Sequence, residues 1–293
     1  MSATNRIPVK MGELDPGFVF SQHSLADYDA CARRFYLRFI ARQAWPMVED
    51  GPEGLSAIDR QAYLRQGKTL HRWIERRLLG LPAGADSTES ADAELVVWWE
   101  RFLATDLSGL PARRTPELEL ACVVGGARLY ARFDLLASDE DGRAVIVDWK
   151  TLRGQKPPSP AFFRDRLQTR VYLFALAAAG APFNGGRPFD PARLSMRYWL
   201  ANFPERPWVD VPYSRADYEV DRQRLTAMVS AIRARSGEAA FEKTERLQTC
   251  AMCDYRTLCA RGSARGGVAL EDAAIALDDA ALLDDTDAPA LEY

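Results

Sequence analysis

Residues Ala144 to Lys150 read AVIVDWK, an apolar run closed by an acid, an indole and a base. Side chains alternate along a strand, so Asp148 and Lys150 point to one face while Val145 and Val147 point to the other. The preceding segment, RLYARFDLL over residues 128–136, reads as a neighbouring strand that carries Asp134. The turn Asp139-Glu-Asp-Gly142 joins the two as a hairpin. Two carboxylates and one ammonium then meet at the edge of a sheet. Such a group is a hard-cation site with a fixed positive charge beside it. Magnesium or manganese bound by Asp134 and Asp148 would acidify a bound water and polarise a phosphate. Lys150 could hold the attacking water and offset charge on phosphorus. In isolation a D-x-K triplet reads as a strand ending in solvated charges, so its company decides.

Outward from this hairpin, Leu118 to Val124 reads as a third strand, joined by Gly125-Gly126 to a strand over Leu129 to Ala137. Glu119 on it is a candidate extra acid or a solvent-facing position. Downstream, the loop Gln155 to Pro160 leads into a helix predicted over Ala161 to Ala179. Gln168 and Tyr172 stand there at i and i+4, on one face. Arg164, Arg166 and Arg170 decorate the same helix and offer charge to phosphate. A strand over Leu194 to Leu200 and a helix over about Ser214 to Arg235 follow.

Upstream, Ser24-Leu-Ala-Asp27 resembles a capping box opening a helix with Leu25, Tyr28, Cys31, Phe35 and Phe39 on its apolar stripe. Helices are also predicted over about Ile58 to Leu79 and Glu89 to Leu103. The first of these carries His71, which reads either as a core or surface histidine or as a further ligand for a manganese-type ion. Gly67-Lys68-Thr69 is not a phosphate loop, because Ala62 replaces the upstream glycine and no strand precedes it. The order of elements is that of a mixed α/β core with an N-terminal helical layer.

Composition narrows the class further. At 47% hydrophobic and 27% charged residues, the 293-residue chain is neither disordered nor fibrous. No apolar run approaches the roughly 20 residues of a membrane span, and the N-terminal residues lack a secretory apolar core. The compartment expected is therefore the cytoplasm. The formal net charge of −3 argues against a nucleic-acid partner only as an average. Residues 264–293 hold eight acids against the single base Arg265, so this tail carries −7 and leaves +4 on residues 1–263. The tail reads as a flexible solubilising extension, or as a segment that competes with a polyanion for the basic body or docks a partner.

Among five cysteines, Cys122 sits in a strand-like run as a small core residue. Cys250, Cys253 and Cys259 are spaced C-x2-C-x5-C, while Cys31 lies far upstream on a helix. In a reducing compartment clustered thiols point to metal or redox chemistry. Four thiolates suit zinc or an iron–sulfur cluster.

The series His71, Phe133-Asp134, Val147-Asp148-Trp149-Lys150-Thr151 and Gln168-x3-Tyr172 resembles the RecB-like branch of the PD-(D/E)XK nuclease superfamily, from about residue 21 to 261. Ala131 stands where that family often has glycine. The resemblance implies a central mixed sheet flanked by helices. It also implies a metal site of His71, Asp134, Asp148 and the Trp149 carbonyl, with Lys150 catalytic and Gln168 and Tyr172 positioning the site or the strand. One N-terminal cysteine plus C-x2-C-x5-C resembles the iron–sulfur subset, which includes the CRISPR-associated exonuclease Cas-four family and nuclease subunits of helicase–nuclease complexes. This implies a structural iron–sulfur cluster, 4Fe-4S, on Cys31, Cys250, Cys253 and Cys259, stapling the C-terminal segment to the N-terminal helix.

The domain expected spans residues 1–263, with a helical part over 21–104, a nuclease core over 116–235, a cysteine segment over 248–261, and the tail 264–293 outside it. The activity implied is a deoxyribonuclease dependent on Mg2+ or Mn2+, acting on single-stranded DNA ends or flaps in CRISPR spacer processing or DNA repair. A CRISPR integrase or helicase–nuclease subunits are the protein partners implied. Two rivals are a non-catalytic DNA-end-binding subunit and a toxin-like or tRNA-directed nuclease.

Overall fold

The computed structural model describes residues 12–43, 57–84, 92–152, 154–251 and 253–261. The acidic tail lies outside the described residues. Six strands form one mixed sheet: β1 (Phe20–Ser21), β2 (Arg113–Val124), β3 (Ala127–Ser138), β4 (Ala144–Lys150), β5 (Leu194–Leu200) and β6 (Trp208–Pro212). The β2–β3 hairpin closes through Gly125 and Gly126, whose φ values of 56° and 72° allow a two-residue turn that matches strand twist. β3 and β4 are antiparallel, β4 and β5 parallel, β5 and β6 antiparallel.

Apolar alternation fills both faces. On one side α3 (Ala57–Leu78) and α4 (Ala93–Leu103) bury Leu70, Ile74, Trp98 and Phe102 against Val145, Val147 and Trp149. On the other, α1 (Gln22–Ala30), α6 (Leu167–Ala179) and α7 (Arg215–Arg233) pack Leu25, Val171, Leu173 and Val229 against Leu120, Phe133, Ile146 and Met196. Each face follows from period-two strands meeting period-3.6 helices. No helix among the described residues is long and apolar enough to cross a membrane.

Three sequence expectations change. The capping box opens α1 at Ser21, not Ser24: Ser21 Oγ accepts from Ser24 N at 3.2 Å, and Ser21 N donates to Ser24 Oγ at 2.9 Å. Asp27 is then left to pair with Arg34 and Arg38, each at 2.7 Å. The N-terminal helix also breaks at Cys31, which is extended at φ −165°, before the short α2 (Ala32–Phe35). Finally, the helix expected over residues 161–179 is two, α5 (Pro160–Asp165) and α6. They are divided by Arg166 in extended conformation, and Thr169 Oγ1 donates to Phe163 O at 2.5 Å across the break.

Candidate active site

β3 has one edge paired with β2 from Ala127 to Ser138, except at Asp134. Its other edge is shared, with β1 covering Leu129 and Tyr130 and β4 covering Leu135 to Ser138. Between them a gap opens at residues 131–134, and Asp134 sits at its β4 end. Here β3 also switches facing: Leu129, Ala131 and Phe133 join the α6 side of the core, whereas Leu135 and Ala137 join the α3 side. The backbone ladder between β3 and β4 stops at Leu135↔Val147, and a side chain continues it, because Trp149 N donates to Asp134 Oδ2 at 2.9 Å. This placement corrects the expectation of a site at the sheet's edge. All seven residues of β4 are buried, since parallel pairing with β5 continues to Lys150↔Leu200. The group lies at the strand ends of an internal strand.

Two linked sets of contacts meet there. His71, presented by α3, donates from Nε2 to Trp149 O at 2.8 Å and places Nδ1 3.4 Å from Asp134 Oδ2. Lys150 Nζ is 2.9 Å from Asp148 Oδ2, and Gln168 Nε2 donates to Asp148 Oδ1 at 2.7 Å. Asp148 and Lys150 are 1% and 2% exposed, so their charges are settled by each other and by neighbours rather than by water. Tyr172 packs its ring 5.1 Å from that of Phe133, and burial followed by the charges of Asp148 and Asp134 pushes its hydroxyl pKa up.

Electrostatics report the same crowding of negative charge. Burial would lower the His71 pKa, but Asp134 and Asp148 outweigh it and raise the imidazole to about 9. Burial would raise Asp134, yet the His71 charge and the Trp149 N–H hold it below its ordinary value. In its protonated form the ring supplies positive charge where these carboxylates meet, and it must give up a proton before a ring nitrogen can ligate a metal. Two carboxylates, an imidazole and a backbone carbonyl are a donor set that fits a Mg2+ or Mn2+ ion. Among the described residues, no three His, Cys, Asp or Glu side chains already stand in metal-holding positions; here His71, Asp134 and Asp148 are bonded to Trp149 O, Trp149 N and Gln168.

The arginines divide. Arg164 is exposed on α5, and Arg166 lies over the Phe162 ring at 5.4 Å. Arg170 corrects the expectation of phosphate-directed charge: its guanidinium binds Asp221 at 2.9 Å and Asp217 at 3.2 Å on α7. Glu119 is exposed opposite Arg132. Glu117, which the sequence reading passed over, is the acid near the site. Its carboxyl is pushed up to about 8 by burial and then by Asp134. Pro116 beside it, a residue that cannot donate to a strand ladder, was the available signal. Asn202 was also missed. It donates to Thr151 O at 3.1 Å and Leu152 O at 3.2 Å, accepts from Trp98 Nε1 at 2.8 Å, and so fixes the exit of β4.

Cys31, Cys250, Cys253 and Cys259 line one cavity together with Arg34 and Lys243. Burial raises the Cys253 thiol to about 11, and burial likewise raises Cys259. The C-terminal segment that carries three of these cysteines is tied to the N-terminal helices by Arg246 Nη2 donating to Asp29 O at 2.6 Å, and by Arg38 with Asp254 at 3.0 Å. Four soft donors thus share one cavity, but among the described residues they do not stand together in metal-holding positions. Cys122 is buried in the core on β2.

The sequence profile described as the PD-(D/E)XK nuclease superfamily matches residues 19–260. No curated protein matches the chain. Among solved structures, a protein named SSO0001 aligns at 16% identity with TM-score 0.37, covering 87% of this chain and 90% of that one. A protein from Eubacterium rectale carrying a provisional exonuclease name aligns at 12% identity with TM-score 0.44, over 87% and 92% of the two chains.

Proposed function

This chain belongs to the PD-(D/E)XK nuclease superfamily, and from that premise we propose that it hydrolyses phosphodiester bonds of DNA, at single-stranded ends, with Mg2+ or Mn2+. One observation carries the reading: the gap on β3 brings Asp134, His71 and the Trp149 carbonyl together, with Asp148 and Lys150 on the neighbouring strand. His71, Asp134, Asp148 and Trp149 O would hold the divalent ion. When bound, it supplies Lewis-acid polarisation of the phosphate and lowers the pKa of water. Gln168 orients Asp148 through its 2.7 Å bond. Lys150 keeps an ammonium within 2.9 Å of that carboxylate, and its charge, held in place by burial, offsets charge that builds on the phosphate oxygens. Asn202 holds the strand end that carries Trp149 and Lys150.

The four cysteines support a structural iron–sulfur cluster, 4Fe-4S, that clamps the C-terminal segment to α1 and α2 and takes no part in hydrolysis. Their pattern is also what favours end-directed cleavage in CRISPR spacer processing or DNA repair, with an integrase or helicase–nuclease subunits as partners. The test is cleavage of 5′- and 3′-end-labelled single-stranded DNA with Mn2+ or Mg2+. Asp148→Ala and Lys150→Ala abolish product while the protein stays folded. Normal cutting by both variants overturns the assignment.

A further inference from the structure

β2 departs from strand geometry at one residue, and that residue borders the site. Glu117 has φ 48°, a left-handed conformation that strains any residue with a side chain and that glycine adopts freely. Among the described non-glycine residues Arg42 and Ala260 share a positive φ, but neither lies in a strand. The β2–β3 ladder runs from Arg113↔Ser138 to Val124↔Ala127 and skips Glu117, at the position facing Asp134.

At that position Glu117 lies across the strand pair from Asp134, within reach of the charges of the site. The charges acting on it come from Asp134 and His71 of the site, from Glu75 one helical turn beyond His71, and from Arg132, whose Nε lies 3.5 Å away. Pairing with Arg132 does not require this geometry, because Glu119 already stands directly opposite Arg132 in the regular ladder. Strain without a structural return points to function. Two carboxylates brought together, Glu117 and Asp134, repel one another unless positive charge lies beside both.

We infer that Glu117 is a further carboxylate of the divalent-cation centre, on the Asp134 side, which raises the carboxylate donors from two to three. The inference rests on the reading of Asp134 and Asp148 as that centre. It applies to cation binding itself and so can be read without catalysis.

The test titrates Mn2+ into metal-depleted full-length protein and follows free Mn2+ by its electron paramagnetic resonance signal, for wild type, Glu117→Gln, Glu117→Gly and Asp148→Asn. Both Glu117 variants should weaken Mn2+ binding about tenfold or more. Glu117→Gly should meanwhile melt in EDTA at or above the wild-type temperature, because glycine relieves the left-handed backbone. That pairing separates lost coordination from lost folding. Unchanged affinity in both Glu117 variants, with Asp148→Asn weakened, overturns the role of Glu117 and leaves the centre standing. Unchanged affinity in Asp148→Asn as well overturns the centre, and the inference with it.

Discussion

Replacing Lys150 by Met tests the electrostatics of the site without asking it to react. The ammonium lies 2.9 Å from Asp148 Oδ2, with Lys150 2% and Asp148 1% exposed. Removing it leaves a buried carboxylate without its nearest cation, and breaking a buried pair in this way costs about 3–5 kcal/mol. Gln168 still donates at 2.7 Å, and the positively charged His71 acts on the same carboxylate, so the lower figure of about 3 kcal/mol applies here. In EDTA the melting temperature of Lys150→Met should therefore fall by roughly 6–12 °C. The companion variant Asp148→Asn removes the charge instead. The double variant should lie well above the sum of the two losses, with a coupling of about 2 kcal/mol. Mn2+ should restore Lys150→Met by about 2–3 kcal/mol at a hundredfold excess over its Kd, since a cation replaces the missing charge. Urea unfolding followed by tryptophan fluorescence reads all four proteins, with Trp149 and Trp199 buried around β4 as reporters. If the two substitutions add within about 0.5 kcal/mol, the pair carries no mutual stabilisation and the account of the site fails.

Asp221, fully buried, accepts from Tyr213 at 2.8 Å and pairs with Arg170 at 2.9 Å, but burial outweighs both partners and raises its carboxyl to about 6. A folded pKa above the unfolded value of about 3.9 means that stability present below about pH 4 is lost as pH rises through about 6. Against Asp221→Asn, the wild-type stability should thus decline by roughly 1–3 kcal/mol between pH 4 and 7 in matched urea titrations, and parallel pH profiles would refute the assignment. For the cysteine cavity, anaerobically purified protein should be brown, and Cys253→Ala should lose the visible absorption and melt several degrees lower. Colourless protein with stoichiometric zinc would replace the cluster by a zinc site.

The hairpin logic was legible residue by residue. Gly125-Gly126 can make a two-residue turn, Asp139 to Gly142 can make the next, and the alternation between them places Asp134 and Asp148 on adjacent strands. The spacing of Gln168 and Tyr172 set both on one turn of α6. Less legible were features in which one element answers to another. Arg170 looked available to phosphate because its partners, Asp217 and Asp221, lie about fifty positions later on another helix. The break at Arg166 left no proline or glycine as a mark. Glu117 was passed over for Glu119 because strand periodicity treats the two alike; the neighbouring Pro116 marks the difference in the sequence and the skipped ladder position marks it in the structure.

By itself, then, the sequence determined which segments pair and which residue types are available to a cation: local alternation, turn chemistry and motif spacing act over a few residues and need no knowledge of distant packing. The tertiary structure alone decided where those residues meet. β1 and β4 occupy different stretches of one edge of β3, so a gap opens between them. A carboxylate then substitutes for backbone pairing there, and α3 delivers His71 to it from the opposite layer. Such a gap is a property of chain segments more than a hundred residues apart packing at once, and no period in the sequence encodes it.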